Sequence, residues 1–135
     1  MKKIIFIFLC SGILFQNAIL AQAEPDAIGL ADDAFQNAFY ESLLQKGIEN
    51  YDKAIIALEK CKKLEPDNAV VYFEMGKNYL PQKKYKDAYD NFEKASTIDP
   101  KNMWALVGMY DVCYETKDYS QAIIIVNKLI EFKKE

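Results

Sequence analysis

The chain contains no histidine and no arginine among its 135 residues. Histidine is the commonest general base and metal ligand of proteins, and arginine is the side chain that grips phosphate with two parallel hydrogen bonds. The lysines form no basic tract and the net charge is −3, which argues against nucleic acid as the main partner. There is also no glycine-rich phosphate loop and no metal-ligand spacing. We therefore predict no catalytic residue, no metal site and no cofactor, and do not expect an enzyme.

The amino terminus has the composition of a secretory signal. Lys2 and Lys3 precede an apolar stretch that begins at Ile4, and residues 21–23 form an A-x-A cleavage site before Glu24. We predict a signal peptide over residues 1–23 that is cleaved on export. The mature protein is then expected to be periplasmic or secreted, without a membrane span.

Two other interpretations of this segment stay open. As a retained anchor, residues 4–20 would supply only 17 residues to the bilayer core, interrupted by Ser11, Gln16 and Asn17. As a lipoprotein, the chain would be modified at Cys10, but the bulky residues before that cysteine fit such a cleavage site poorly. Cleavage is the interpretation that we favour.

A period of 34 residues organises the rest of the chain. Six columns recur at this interval: Tyr51, Tyr85 and Tyr119; Ala54, Ala88 and Ala122; Leu58, Phe92 and Val126; Cys61, Ala95 and Leu129; Pro66 and Pro100; Asn68 and Asn102. Agreement in six columns indicates an internal structural repeat.

Each period predicts two antiparallel helices. In the middle period the apolar face of one helix falls at i, i+3, i+4 and i+7 (Tyr72, Met75, Gly76 and Tyr79). Pro81 should end that helix near Leu80, because proline disfavours helical geometry in the residue before it. Asn68 and Asn102 stand where new helices begin and can cap them with a side-chain acceptor.

This period and these residue types resemble the tetratricopeptide repeat (TPR), with its pattern W-x2-L-G-x2-Y, A-x3-F and P. The middle repeat has Tyr72 and Met75 for the tryptophan and leucine, and otherwise matches through Gly76, Tyr79, Ala88, Phe92, Ala95 and Pro100. The third repeat matches through Leu106, Met109, Tyr119, Ala122 and Val126, with Tyr110 in place of the glycine. The resemblance implies an all-α fold, an α-solenoid of about three TPR helix–turn–helix units that bury their apolar faces by stacking.

The repeats divide the chain after the signal into four parts. A short lead-in occupies residues 24–34, and the three repeats occupy residues 35–68, 69–102 and 103–135, the last without a cap. The first helix of the first repeat, near Leu30 to Gly47, is degenerate. Ala38, Glu41 and Ser42 stand there in place of two large residues and a glycine.

In TPR proteins the first helix of each pair lines a concave groove. The resemblance assigns ten residues to that groove: Phe39, Leu43, Val70, Phe73, Lys77, Leu80, Trp104, Val107, Asp111 and Tyr114. Such an aromatic lining favours an apolar peptide, extended or helical. For Phe39 and Leu43 packing within the protein is an equal alternative, whereas Phe73, Trp104 and Tyr114 favour binding.

One TPR subclass clamps the acidic carboxyl terminus of cytosolic chaperones with lysine, arginine and asparagine. The corresponding places in this sequence hold Phe39, Leu43, Glu74, Trp104 and Gly108. The resemblance therefore does not extend to that clamp, and export would separate the protein from such a partner.

The last predicted helix, Tyr119 to Phe132, is apolar on nearly every side. Such a helix requires cover, and repeat arrays normally end in a polar capping helix. We predict a docking face at Ile124, Ile125, Ile130 and Phe132 for a further repeat, a second copy or another protein. The alternative is a helix that tolerates exposed isoleucines.

Cys61 and Cys113 fall at inward-facing positions of the first and third repeats. A disulfide requires Cα atoms within roughly 7 Å, and a repeat lies between these two positions. We predict buried free thiols, and no neighbouring base activates either one.

The function predicted from these features is a non-catalytic scaffold for protein–protein interaction that binds a protein or peptide through the groove. The alternative is that the chain forms an amino-terminal structural segment of a larger envelope protein or enzyme assembly.

Overall fold

The computed structural model describes residues 27–134, with side chains from residue 32 onward. Six α-helices follow one another, and the described residues contain no strand. The helices are α1 (Ala27–Gly47), α2 (Tyr51–Leu64), α3 (Ala69–Tyr79), α4 (Tyr85–Ile98), α5 (Met103–Glu115) and α6 (Tyr119–Phe132). They form three helix pairs, and the predicted all-α solenoid of TPR units is confirmed. From residue 34 onward they form one compact unit.

The helix boundaries follow from capping residues and a proline. The side chains of Asn68 and Asn102 accept hydrogen bonds from the amides of Val70 (3.0 Å) and Trp104 (3.1 Å), so both predicted caps are present. Helix α3 ends at Tyr79 and continues as a single 3₁₀ turn, Leu80–Gln82, with Pro81 near its start. Proline fits there because the first turn of a helix leaves its amides without internal partners.

The turn within each helix pair contains a residue with left-handed backbone. These residues are Glu49 (φ 59°), Lys83 (φ 59°) and Lys117 (φ 61°), again 34 positions apart. None is glycine, the residue that adopts this conformation without steric cost. The sequence pattern therefore carried no sign of these turns.

The buried core lies between successive helix pairs. One cluster joins α2 to α3 through Leu58, Cys61, Val71 and Met75, with Phe35, Ala38 and Phe39 of α1 packed against it. A second cluster joins α4, α5 and α6 through Ala88, Phe92, Leu106, Met109, Val112, Cys113, Ala122 and Ile125. Each cluster draws on two repeats, so stacking buries the apolar faces as the repeat pattern predicted.

Phe92 lies between the backbones of two helices. A β-carbon added to Gly76 of α3 or to Gly108 of α5 would lie 2.6 Å from the same ring atom, Cε1 of Phe92. Both glycines are therefore required by close packing, since side chains do not approach each other that closely. The sequence indicated a small residue at Gly76, but the equivalent role of Gly108 is visible only in the fold.

Helix α1 of the first repeat extends into the segment assigned as a lead-in. Helix α1 begins at Ala27, so the lead-in of residues 24–34 is helical from that residue. Ser42 is buried where the next repeat has Gly76, and its hydroxyl donates to the carbonyl of Phe39 at 2.6 Å. A small side chain with an internal acceptor thus replaces the glycine. The predicted signal peptide lies outside the described residues.

Cys61 and Cys113 are buried free thiols in the two separate clusters, as predicted. Burial raises the pKa of both thiols, and the nearby charges of Glu65 and Asp118 raise it further for Cys61 and Cys113 respectively. The reactive thiolate is therefore disfavoured in the folded state at neutral pH.

We expect both thiols to resist iodoacetamide in the native protein and to react on unfolding. Site-resolved mass spectrometry after alkylation, with and without denaturant, measures this. Raising the pH within the stable range should speed native alkylation only slightly, because burial blocks access as well as ionisation. Rapid native labelling of Cys61 would contradict its burial.

Within residues 27–134, no helix is both long and apolar enough to cross a bilayer.

Candidate partner-binding groove

The first helix of each pair presents one recurring face, which we call the groove face. It carries the ten predicted residues, because each position recurs after 34 residues: Phe39, Phe73 and Val107; Leu43, Lys77 and Asp111; Val70 and Trp104; Leu80 and Tyr114. Helices α3 and α5 contact each other, so their groove faces are adjacent. The side chains on this face differ in how far neighbouring residues already cover them.

Trp104 is the most exposed large side chain of the groove face. It lies in the first turn of α5, where the Asn102 cap holds its amide, and 63% of the residue is accessible to solvent. Tyr114 at the other end of α5 is 58% exposed, and Val70, one repeat before Trp104, is 49% exposed. These three residues leave a large apolar area in water that a partner could cover.

Two aromatic residues of the groove face also pack into the core. The ring of Phe73 lies 5.8 Å from that of Phe92, centroid to centroid, and Phe39 stacks on Phe35 at 5.9 Å. Both residues are half-buried. The sequence favoured binding for Phe73, but the structure also gives this residue a role in packing the core. Substitution at Trp104 therefore tests binding better than substitution at Phe73 or Phe39, because it does not also remove a core contact.

Lys77 shares its counter-ion with a second lysine. Its ammonium lies 3.1 Å from Oε1 of Glu74 and 5.2 Å from the ring centroid of Phe73. Glu74 is buried, and its other oxygen pairs with Lys46 of α1. A buried carboxylate is tolerated only when paired in this way. The two lysines and one carboxylate leave a single net positive charge at this end of the groove face.

A cleft at the junction of the second and third repeats unites three predicted groove residues. Leu80, Asp111 and Tyr114 line a volume of ≈ 390 Å³ together with Pro81, Lys83, Tyr85 and Glu115. Partial loss of water around its carboxyl raises the pKa of Asp111, and the negative charge of Glu115 adds to that effect. The two carboxylates and the ammonium of Lys83 give this cleft one net negative charge, which is suited to an apolar side chain next to a cation. The 3₁₀ turn brings Pro81 into this cleft, which the sequence did not indicate.

The predicted docking face on α6 requires correction. Ile125 is fully buried in the cluster that contains Phe92, so the prediction that it is available for docking is wrong. Ile124 is 49% exposed, Ile130 is exposed and Phe132 is half-buried. The rotation of α6 instead exposes Ile123, at 62%. Three successive isoleucines therefore have different environments, which their composition alone could not reveal.

The structure shows no metal cluster in its described part: no group of three or more cysteine, aspartate or glutamate side chains is placed to hold a metal ion there.

The architecture of this chain is that of an α-solenoid built from stacked helix pairs. Two sequence-family models described as "Tetratricopeptide repeat" match it, over residues 42–68 and 79–135. The chain is therefore built of tetratricopeptide repeats, as its 34-residue pattern predicted. Proteins with such repeats are generally non-catalytic interaction modules. No curated protein sequence matches the chain significantly.

Solved structures of TPR proteins have the same fold. The complex of the yeast Sti1 TPR2B domain with pHsp70 has a TM-score of 0.68 at 18% identity, covering 70% of this chain and 76% of that chain. The Arabidopsis OM64 TPR domain has a TM-score of 0.69 at 19% identity, covering 76% and 85%. MamA from Desulfovibrio magneticus RS-1 has a TM-score of 0.71 at 18% identity, covering 82% and 59%. Identities this low show the fold alone, and the chain spans less than two-thirds of that MamA chain.

Proposed function

We propose that this protein is a non-catalytic scaffold that binds an apolar segment of a partner protein along the groove face. The observation that carries the proposal is the exposure of Trp104, the most exposed large side chain of a face whose two phenylalanines are packed. Tryptophan and tyrosine dominate the binding energy of protein interfaces, because they bury a large area with little loss of conformational freedom. Tyr114 and Val70 extend the same exposed surface.

The charges of the cleft between the second and third repeats favour a partner segment with a basic residue. Asp111, Glu115 and Lys83 border this cleft and give it one net negative charge. A lysine or arginine beside apolar residues would relieve the repulsion between these carboxylates. An acidic ligand would increase it.

The likeness to the Sti1 domain does not extend to its pHsp70 ligand. The positions that resemble the chaperone clamp hold Phe39, Leu43, Glu74, Trp104 and Gly108. Three are apolar and one is acidic, and none can donate a charged hydrogen bond to a carboxylate. We therefore propose a different partner, met outside the cytoplasm if the leader directs export.

An alternative proposal is that the chain forms the amino-terminal structural segment of a larger envelope protein or enzyme assembly. The exposed apolar side chains of α6 favour it, since a following repeat would cover them. A longer product in the cells that make the protein, detected by mass, would support this alternative.

Photo-crosslinking in the cells that make the protein tests whether a partner binds at the groove face. A benzoylphenylalanine placed at Trp104 should form covalent adducts with a partner, because this side chain projects from the proposed binding face. The matched control is the same substitution at Ile56, which is 59% exposed on α2, outside the groove face. Adducts at both positions, or at Ile56 alone, would contradict binding through the groove.

A further inference from the structure

An uncharged apolar stripe runs along α6, away from the residues proposed to bind a partner. It consists of Tyr119, Ile123, Val126 and Ile130, all of them exposed, and we call it the end stripe. Together with Tyr110 and Tyr114 of α5, its first three residues border a cleft of ≈ 270 Å³. This surface is separate from the proposed function, except that Tyr114 borders both.

The preceding repeat shows what normally happens to these positions. Thirty-four residues before the end stripe, Phe92 belongs to the second core cluster, and Tyr85 and Tyr89 are partly buried against it. Phe92 is 1% exposed, whereas Val126 in the same column is 36% exposed. The surface of α6 therefore continues an interface that is closed inside the molecule, and each uncovered aliphatic side chain forgoes roughly 1.5–3 kcal/mol of burial.

The spacing of the end stripe reads the same in both directions. Its residues are separated by four, three and four positions, the spacing of a two-helix seam. If a second α6 is laid antiparallel, with a twofold axis between Ile123 and Val126, then Tyr119 meets Ile130 and Ile123 meets Val126. The end stripe is thus self-complementary, which a twofold interface requires.

Charges at the two ends of α6 favour the antiparallel arrangement. The amino-terminal end has two acids and one lysine, and the carboxyl-terminal end has three lysines and two acids (Glu115, Asp118 and Lys117; Lys128, Lys133, Lys134, Glu131 and Glu135). Antiparallel pairing places the acidic end of one copy beside the basic end of the other. It also opposes the two helix dipoles, whereas a parallel pair would bring like charges together.

We propose that the end stripe is the interface of a twofold homodimer in which α6 of one copy lies antiparallel against α6 of the other. The tyrosines of α5 flank this pair and cover its edges. No charged side chain enters the seam, so the two copies meet without an unpaired buried charge.

The first experiment compares two neighbouring isoleucines on one helix. Light scattering of the full chain, from low micromolar concentration upward, should give twice the mass of one copy. Ile123→Lys should weaken dimerisation by at least about 100-fold, because a lysine is buried in each half of the seam. Ile124→Lys is the matched control, since Ile124 is exposed but turned about 100° away. Circular dichroism should show equal helicity for both variants.

The second experiment tests whether the two α6 helices pair antiparallel or parallel. Under oxidising conditions, a mixture of the Tyr119→Cys and Ile130→Cys chains should form a mixed covalent dimer, and each chain alone should form little. The unsubstituted chain, which keeps its own cysteines, is the background control. Covalent dimers formed equally by each variant alone would indicate parallel pairing and overturn the proposal.

Three results of light scattering would also overturn it. A monomer at every concentration would mean that no second copy covers the end stripe. Species that grow continuously with concentration would indicate head-to-tail stacking, which does not close. A dimer that survives Ile123→Lys would have its interface elsewhere.

Discussion

Phe92→Ala is expected to lower the free energy of unfolding by about 3–5 kcal/mol. Among the residues that the structure describes, Phe92 is the largest fully buried side chain, and it joins the helices of the second and third repeats in one cluster. Removing its ring leaves a cavity between Gly76 and Gly108, which the rigid helices on either side can fill only in part. Urea denaturation followed by circular dichroism measures the loss as a lower midpoint.

The two glycines that flank the ring provide a sharper form of this test. A β-carbon at Gly108 would lie 2.6 Å from the Phe92 ring, so Gly108→Ala should destabilise by roughly 1–3 kcal/mol despite the better helix propensity of alanine. Gly47→Ala is the matched control, because no atom lies within 4 Å of its added β-carbon. It should leave stability unchanged or raise it by up to about 1 kcal/mol. If the two substitutions had the same effect, the close packing of Phe92 would be refuted.

Combining the substitutions should show their coupling. In the Phe92→Ala background the added methyl group of Gly108→Ala no longer meets a ring, so its penalty should vanish or reverse. Residues in contact give such non-additive effects, whereas distant ones add. Additive losses would mean that Gly108 is sensitive for another reason.

Trp104→Ala is expected to weaken binding of a partner captured at this position by at least about 30-fold, which corresponds to roughly 2 kcal/mol. The substitution removes the largest exposed side chain of the groove face. Because this side chain is 63% exposed, stability should change by no more than about 0.5 kcal/mol. Titration calorimetry with the captured partner measures the first effect, and urea denaturation the second.

Two further substitutions show whether the loss of affinity on Trp104→Ala is specific to the groove face. Ile56→Ala removes an exposed apolar side chain of α2 outside the groove face and should leave the affinity unchanged. Asp111→Asn should weaken binding of a partner segment that carries a basic residue and have little effect on one that does not. Equal losses for Trp104→Ala and Ile56→Ala would point to general surface stickiness rather than a groove.

The helix pairs and their limits could be predicted from the sequence because they depend on nearby residues. Asn68 and Asn102 cap the helices that follow them, and Pro81 converts the end of α3 into a 3₁₀ turn. Recurrence of one apolar pattern at 34 residues then implies that each pair meets the next in the same way. The burial of the two cysteines could be predicted from the same pattern, because each stands at a repeat position that faces inward.

Details of the candidate site depended on contacts between distant residues. Phe73 is shared between groove and core because Phe92, nineteen positions later, lies against it. Lys77 shares Glu74 with Lys46 of another helix, so the net positive charge that remains there depends on a contact between distant residues. The left-handed turns at Glu49, Lys83 and Lys117 carry no glycine, so local residue preference did not indicate them.

By itself the sequence determined the repeat, the helices and the stacking that buries them, because helical spacing and capping act over a few residues. The tertiary structure alone decided which of Ile123, Ile124 and Ile125 faces solvent. Each step along a helix turns the side chain by about 100°, so rotating α6 by that amount would exchange a buried isoleucine for an exposed one. Only the packed neighbours set that rotation, and through it the surface that α6 leaves open.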